Sequence, residues 1–182
     1  TFSQKGTTYS IEINYPLPMG ENFIGKNYNG FADIGLTYKF TQRPLMDYGI
    51  SFNTSLLNYN FDLQDDLDQL YNYKVNAYVF QPRLYASFFI ASLEKFHPSV
   101  GLGYSFIVFK VSGLDPLDFG NENASDNQNG ININLGAAYD LSERIFIKAQ
   151  YDFIKPNIGN SISNKPFNTN MHLMKIGLGI RF

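Results

Sequence analysis

Nine ionisable side chains stand where chemistry is possible. Glu12, Asp33, Asp140 and Asp152 oppose Lys39, Arg83, Lys148, Lys175 and Arg181, and each lies in a stretch where alternate residues are apolar, on the opposite parity to them. Brought together, such a set forms either a polar path for ions or a network that pairs off internally. An unpaired buried charge is costly, and the signs nearly balance. The expectation is therefore a closed network with no sizeable conductance.

Two further groups invite chemistry. Asp62, Asp65, Asp66 and Asp68 fall in the connection 57–73, and Asp115, Asp118, Glu122 and Asp126 in the connection 112–130, with no basic residue in either. Hard cations take oxygen ligands, but the spacing Asp62–Asp68 lacks the twelve-residue loop pattern and its central glycine. A solvated acidic surface is the expectation, with no metal site. In the same connection Phe61, Leu63, Leu67, Leu70 and Tyr71 recur at roughly helical spacing, which predicts a short amphipathic helix on a rim. There are two histidines: His97, expected in a short turn beside Pro98, and His172, opening the last alternating segment on its apolar parity. A histidine works on a nucleophile held within hydrogen-bond reach. His172 has no visible triad partner, so no catalytic site and no cofactor is expected.

The elements that must position these groups are strands. Period-two alternation, which puts every second side chain on one face, occurs in eight segments near 7–16, 32–40, 48–56, 78–88, 100–108, 131–140, 145–153 and 174–182. In the second, Ala32, Ile34, Leu36, Tyr38 and Phe40 alternate with Asp33, Gly35, Thr37 and Lys39. Pro82 is a blemish in the fourth, since it lacks a ladder donor and marks an edge or a bulge. Short turns near 41–47, 92–97 and 142–144 alternate with longer Asn- and Asp-rich connections at 17–29, 57–73, 112–130 and 155–170.

Alternation alone fits a soluble barrel too. Three features point to lipid. Gly35, Gly49, Ser51, Gly101, Gly103, Ser105, Gly136, Ala138, Gly177 and Gly179 make the polar face small, as a narrow lumen requires, where a watered surface would favour Lys and Glu. Aromatic residues gather at both strand ends, as interfacial girdles do. The apolar face carries almost no charge. Composition agrees. Of the 182 residues, 16% are charged and 16% aromatic, with no tryptophan and no cysteine; soluble domains carry roughly 25% charge. Mean hydropathy is only −0.21, so the apolar residues are dispersed, as in a barrel, rather than blocked into a helix. A net charge of −2 argues against nucleic acid. The opening at Thr1 fits a chain whose leader has been removed.

The last strand is more specific. Lys175, Gly177, Ile180 and Phe182 occupy the places of the C-terminal assembly signal of outer-membrane barrels: polar, then Gly, then two apolar residues ending in Phe. Over essentially its whole length the chain resembles the small eight-stranded family typified by the OmpA transmembrane domain and OmpX. The expected fold is all-β: one domain, 1–182, a transmembrane antiparallel up-and-down barrel of about eight strands with short periplasmic turns and longer extracellular loops. The resemblance implies an integral protein of a Gram-negative outer membrane with periplasmic termini. Its implied partners are lipid, lipopolysaccharide and the barrel-assembly machinery, and also other outer-membrane proteins. Enzymes of this size class include lipid A acyl-chain hydrolases, whose arrangement the place of His172 resembles, but Met174 stands where they have serine. The leading expectation is a non-enzymatic structural or interaction barrel acting through its loops and wall. The alternatives are an accessory subunit of a larger uptake, secretion or assembly complex, and a small channel.

Overall fold

Alternating β-branched and aromatic residues favour extended backbone, and eight such strands form. The structure, a computed structural model, describes residues 8–64, 70–112, 125–157 and 166–182, with side chains over 8–60, 74–111, 125–157 and 166–182. The strands are β1 (Tyr9–Met19), β2 (Asn29–Gln42), β3 (Met46–Gln64), β4 (Leu70–Phe88), β5 (Phe96–Ser112), β6 (Ser125–Asp140), β7 (Ile145–Asn157) and β8 (Met171–Arg181). Each pairs antiparallel with the next, and β8 returns to pair with β1, from Ser10↔Arg181 to Met19↔His172. Closure leaves no sheet edge, so the strands can satisfy one another's backbone groups, the condition for crossing hydrocarbon. The chain ends lock this seam: the amides of Thr8 and Tyr9 donate to the Phe182 carbonyl, and the Phe182 amide donates to Tyr9.

The outer wall is apolar and uncovered. Ile13 is 68% exposed and Leu84 64%, and Ile34, Leu102, Ile131, Leu135 and Leu178 are about half exposed or more. Tyr9, Phe40, Tyr139 and Phe182 are exposed near the short turns, and Tyr15, Tyr104 and Phe106 toward the long connections. A continuous apolar wall of this extent is untenable in water and ordinary in lipid.

Inward positions are filled by side chains, as an eight-stranded interior allows. Small residues there make room for large ones opposite. A Cβ on Gly49 would collide with the Tyr85 ring, and one on Gly179 with the Phe146 ring. Overpacking of this kind costs about 1–3 kcal/mol. Gly179→Val is therefore expected to lower the urea midpoint of the barrel refolded in lipid vesicles. An unchanged midpoint would show that Phe146 is not held over the glycine.

Several local expectations are corrected. The connection 57–73 is largely strand: β3 and β4 stay paired out to Gln64↔Leu70. The amphipathic helix therefore does not form over Phe61–Leu63 or Leu70–Tyr71, and Leu67 lies outside the described residues. Likewise 125–130 belongs to β6. Over 125–130 alternation has stopped, yet the strand continues, because backbone pairing needs no apolar side chains. At 19 residues each, β3 and β4 exceed the roughly 10 residues a membrane strand needs. His97 is not in a turn but on β5, facing inward and 6% exposed. Pro82 marks neither edge nor bulge. It pairs with Phe52 of β3, and only its β5 side lapses, the ladder resuming in register at Arg83↔Gly103. The connection 17–29 holds a helical turn, α1 (Phe23–Asn27), and α2 (Pro166–Thr169) precedes β8. Gly20, at φ 85°, turns the chain out of β1, and Asn22 caps α1 by accepting the Gly25 amide at 2.9 Å.

Candidate functional site

The lumen is stratified. At mid-height Lys175 of β8, 1% exposed, sets its Nζ 2.8 Å from Asp33 of β2 and 2.9 Å from Asp152 of β7, and donates to Gln81 Oε1 at 2.6 Å. Arg83 of β4 donates to Asp152 at 2.9 Å and also to Asn53. Neutral groups complete the carboxylates. Asn14, Asn53 and Ser55 donate to Asp33 at 2.8, 2.8 and 2.6 Å; Asn134 and Gln150 donate to Asp152 at 2.7 and 2.9 Å. Both carboxylates are fully buried. Charges taken from water persist only when paired and hydrogen-bonded in this way.

Toward the short turns, Lys148 grips both oxygens of Glu12 at 2.9 Å, and Lys39 pairs with Asp47 at 2.8 Å. Asp140 takes His97 Nε2 at 2.8 Å on one oxygen and the Arg181 guanidinium on the other. That guanidinium also lies 4.2 Å over the Phe146 ring. All nine charges singled out in the sequence thus face the lumen in ion pairs. Asp47 and His97 join them unforeseen. Asp47 lies one step before the alternating segment, at the edge of a polar turn, and counting back from Gly49 and Ser51 is the signal that would have found it.

Toward the long connections the lumen changes character. Leu57, Ala77, Val79, Ile107, Ile154 and Leu173 form a buried apolar layer. Above it opens a cavity of about 500 Å³, lined by residues that include Tyr28, Val75, Phe109 and Met171. A second, polar cavity of about 60 Å³ lies in the other half, beside Glu12, Lys148 and Arg181. Asp33, Arg83, Asp152 and Lys175 line neither cavity, so the ionic layer stands between them. The lower half keeps the small and polar inner face read from the sequence, interrupted by the Tyr85 and Phe146 rings; the upper half does not keep it.

The remaining candidates fall outside this network. His172 faces outward, its ring stacked on Tyr151 at 5.9 Å and tilted against Phe153 at 5.2 Å, with a hydrogen bond to the Tyr151 hydroxyl. Asp126 lies exposed on β6 and the backbone of Asp62 belongs to β3, whereas Asp65, Asp66, Asp68, Asp115, Asp118 and Glu122 lie outside the described residues. Among the described residues no cluster of acids and histidines is placed to hold a metal. In the C-terminal strand Lys175 and Gly177 point inward; Ile180 and Phe182 point outward, 47% and 61% exposed.

The family model described as outer membrane protein beta-barrel domain matches residues 18–182. The chain belongs to this family. It is accordingly an integral outer-membrane protein of a Gram-negative bacterium, as the OmpA-like resemblance implied. Solved structures share the architecture at low identity. Neisserial surface protein A aligns at 14% identity and a TM-score of 0.60 over 98% of each chain. OprG of Pseudomonas aeruginosa aligns at 15% identity and 0.60, over 98% of this chain and 97% of its own. Ail, the attachment invasion locus protein of Yersinia pestis, aligns at 14% identity and 0.58 over 97% of each. No curated protein matches the chain in sequence. These likenesses carry the fold; the family carries the membrane.

Proposed function

We propose that this barrel is a non-conducting, non-enzymatic member of its family that acts by contact, through its long-connection rim and its lipid-facing wall. The observation that carries the reading is the buried layer Asp33–Lys175–Asp152–Arg83, which separates the two cavities with paired charges. An ion crossing it must displace salt bridges that are fully desolvated, where their attraction is strongest. The aromatic neighbours of His172 and the methionine at position 174 speak for contact rather than catalysis. In this reading both termini lie on the periplasmic side, Lys175, Gly177, Ile180 and Phe182 are read by the assembly machinery, and the rim meets lipopolysaccharide and neighbouring proteins.

Single-channel recording of the purified barrel in a planar bilayer tests the closed lumen. The expected trace has no large, stable openings at neutral pH. Reproducible openings from the unmodified monomer would overturn the reading in favour of a channel.

A further inference from the structure

The 500 Å³ cavity lies within the range of small-molecule pockets, about 300–1,000 Å³. We propose that it binds one molecule of a small cationic amphiphile, an apolar body carrying an ammonium-type head. This goes beyond contact at the rim and does not depend on whether the lumen conducts.

The walls are carbon. Ile24, Tyr28 and Met171 are 1%, 5% and 2% exposed, and Tyr59, Val75 and Phe109 complete the lining from β3, β4 and β5. The cavity is built rather than left over: α1 seats Ile24 in the apolar cluster, and its C-cap residue Tyr28 lies at the centre of an aromatic group. The Tyr28 ring sits 5.7 Å from Phe23, 5.5 Å from Tyr59 and 6.1 Å from Phe109. Ring faces attract cations, most strongly where water is excluded. Burial, and then the neighbouring Tyr59, push the Tyr28 phenol well above its ordinary range. It therefore stays neutral and offers a ligand its ring face.

The polar side of the cavity selects the head. Asp126 is the one charged side chain among the described lining residues, and Gln128, Asn168 and Asn170 stand with it. Gln128 donates to Asp126 at 3.3 Å, a long bond that leaves the carboxylate able to accept from a ligand. With no basic group in this lining, an anionic head meets a like charge and a cationic head meets a carboxylate and aromatic faces. A neutral apolar ligand would gain neither.

The methionines supply the test. Of the four in the chain, Met171 lines the cavity, and Met174, three residues on, lies on the opposite, outward parity of β8. The full chain, methyl-labelled at methionine and held in lipid nanodiscs, is titrated with octyltrimethylammonium and, separately, with octyl sulfate. The Met171 methyl is expected to shift saturably with the cation, Met174 following only partition into lipid, and the anion to bind about tenfold more weakly. Val75→Trp, which fills the cavity, is expected to abolish the Met171 response. Asp126→Asn, at an exposed position that leaves the fold intact, is expected to erase most of the preference for the cation. Met171 tracking Met174 with both probes, or equal affinity for the two heads, would overturn the proposal. Conductance measurements report on the ionic layer alone, so the two readings fail separately.

Discussion

Lys175→Met is expected to destabilise the barrel by about 3–5 kcal/mol, the usual cost of removing one partner from a buried ion pair. Methionine matches the length of the lysine stem and leaves little cavity, so the loss is electrostatic. Without the ammonium, Asp33 retains only neutral donors, and Asp152 keeps Arg83 alone among the cations within reach. One desolvated carboxylate, Asp33, is then left with no cation at all. Adding Asp33→Asn to Lys175→Met should recover a large part of the loss, because it removes the charge left unpaired. Urea unfolding in lipid vesicles, followed by tyrosine emission in this tryptophan-free chain, gives both values. A loss below about 1 kcal/mol, the range of solvated pairs, would mean that water reaches the layer and that the lumen is not closed there.

Ile13→Arg is expected to cost about 2–4 kcal/mol, the penalty for a cation near the middle of a bilayer on the outer wall of a barrel. Ile13 is 68% exposed and lies mid-strand on β1, paired with Ile34 on one side and Leu178 on the other. At an exposed position in a watery protein the same change would fall within about 0.5 kcal/mol of zero. The matched control is Leu45→Arg. Leu45 is 73% exposed in the short turn between β2 and β3, beyond the apolar wall, and should tolerate the charge. Unfolding free energies of the two variants in the same vesicles settle the comparison. Equal, small effects would place both residues in water and remove the membrane assignment of the wall.

The strands and their facing were legible because one face is solvated by lipid and the other packed inside, so a single alternation runs through each segment. That sufficed to orient Glu12, Asp33, Lys39, Arg83, Asp140, Lys148, Asp152, Lys175 and Arg181. It could not pair them, since partners such as Lys148 and Glu12 lie 136 residues apart and register across the barrel leaves no local trace. Nor did alternation reveal the apolar half of the lumen. Leu57, Val79, Ile107 and Leu173 sit where the opposite parity is also apolar, and there the pattern disappears: Ile107, Val108 and Phe109 read as one run. Loss of alternation just before a long connection is itself the signal for an apolar upper lumen. The extent of β3 and β4 was hidden for another reason: the alternation reverses there, Tyr59, Phe61 and Leu63 taking the parity opposite to that of Phe52 and Leu56, so the strands read as ended.

The charge order along the chain has a kinetic consequence. Among the ion-paired lumen carboxylates, lysines and arginines, with His97 set apart, β1–β7 carry Glu12, Asp33, Asp47, Asp140 and Asp152 against Lys39, Arg83 and Lys148. A sheet of β1–β7 still lacking its last strand would therefore carry two more of these carboxylates than of these cations on its concave side. The two missing cations, Lys175 and Arg181, both arrive on β8. Until that strand docks, water must remain over Asp33 and Asp152, because dehydrating unpaired carboxylates is prohibitive. Drying of the interior and zipping of the β1–β8 seam are then a single late event. The strand that completes the ring also completes its neutrality, so the docking of β8 rather than the gathering of the earlier hairpins should carry the rate-limiting barrier.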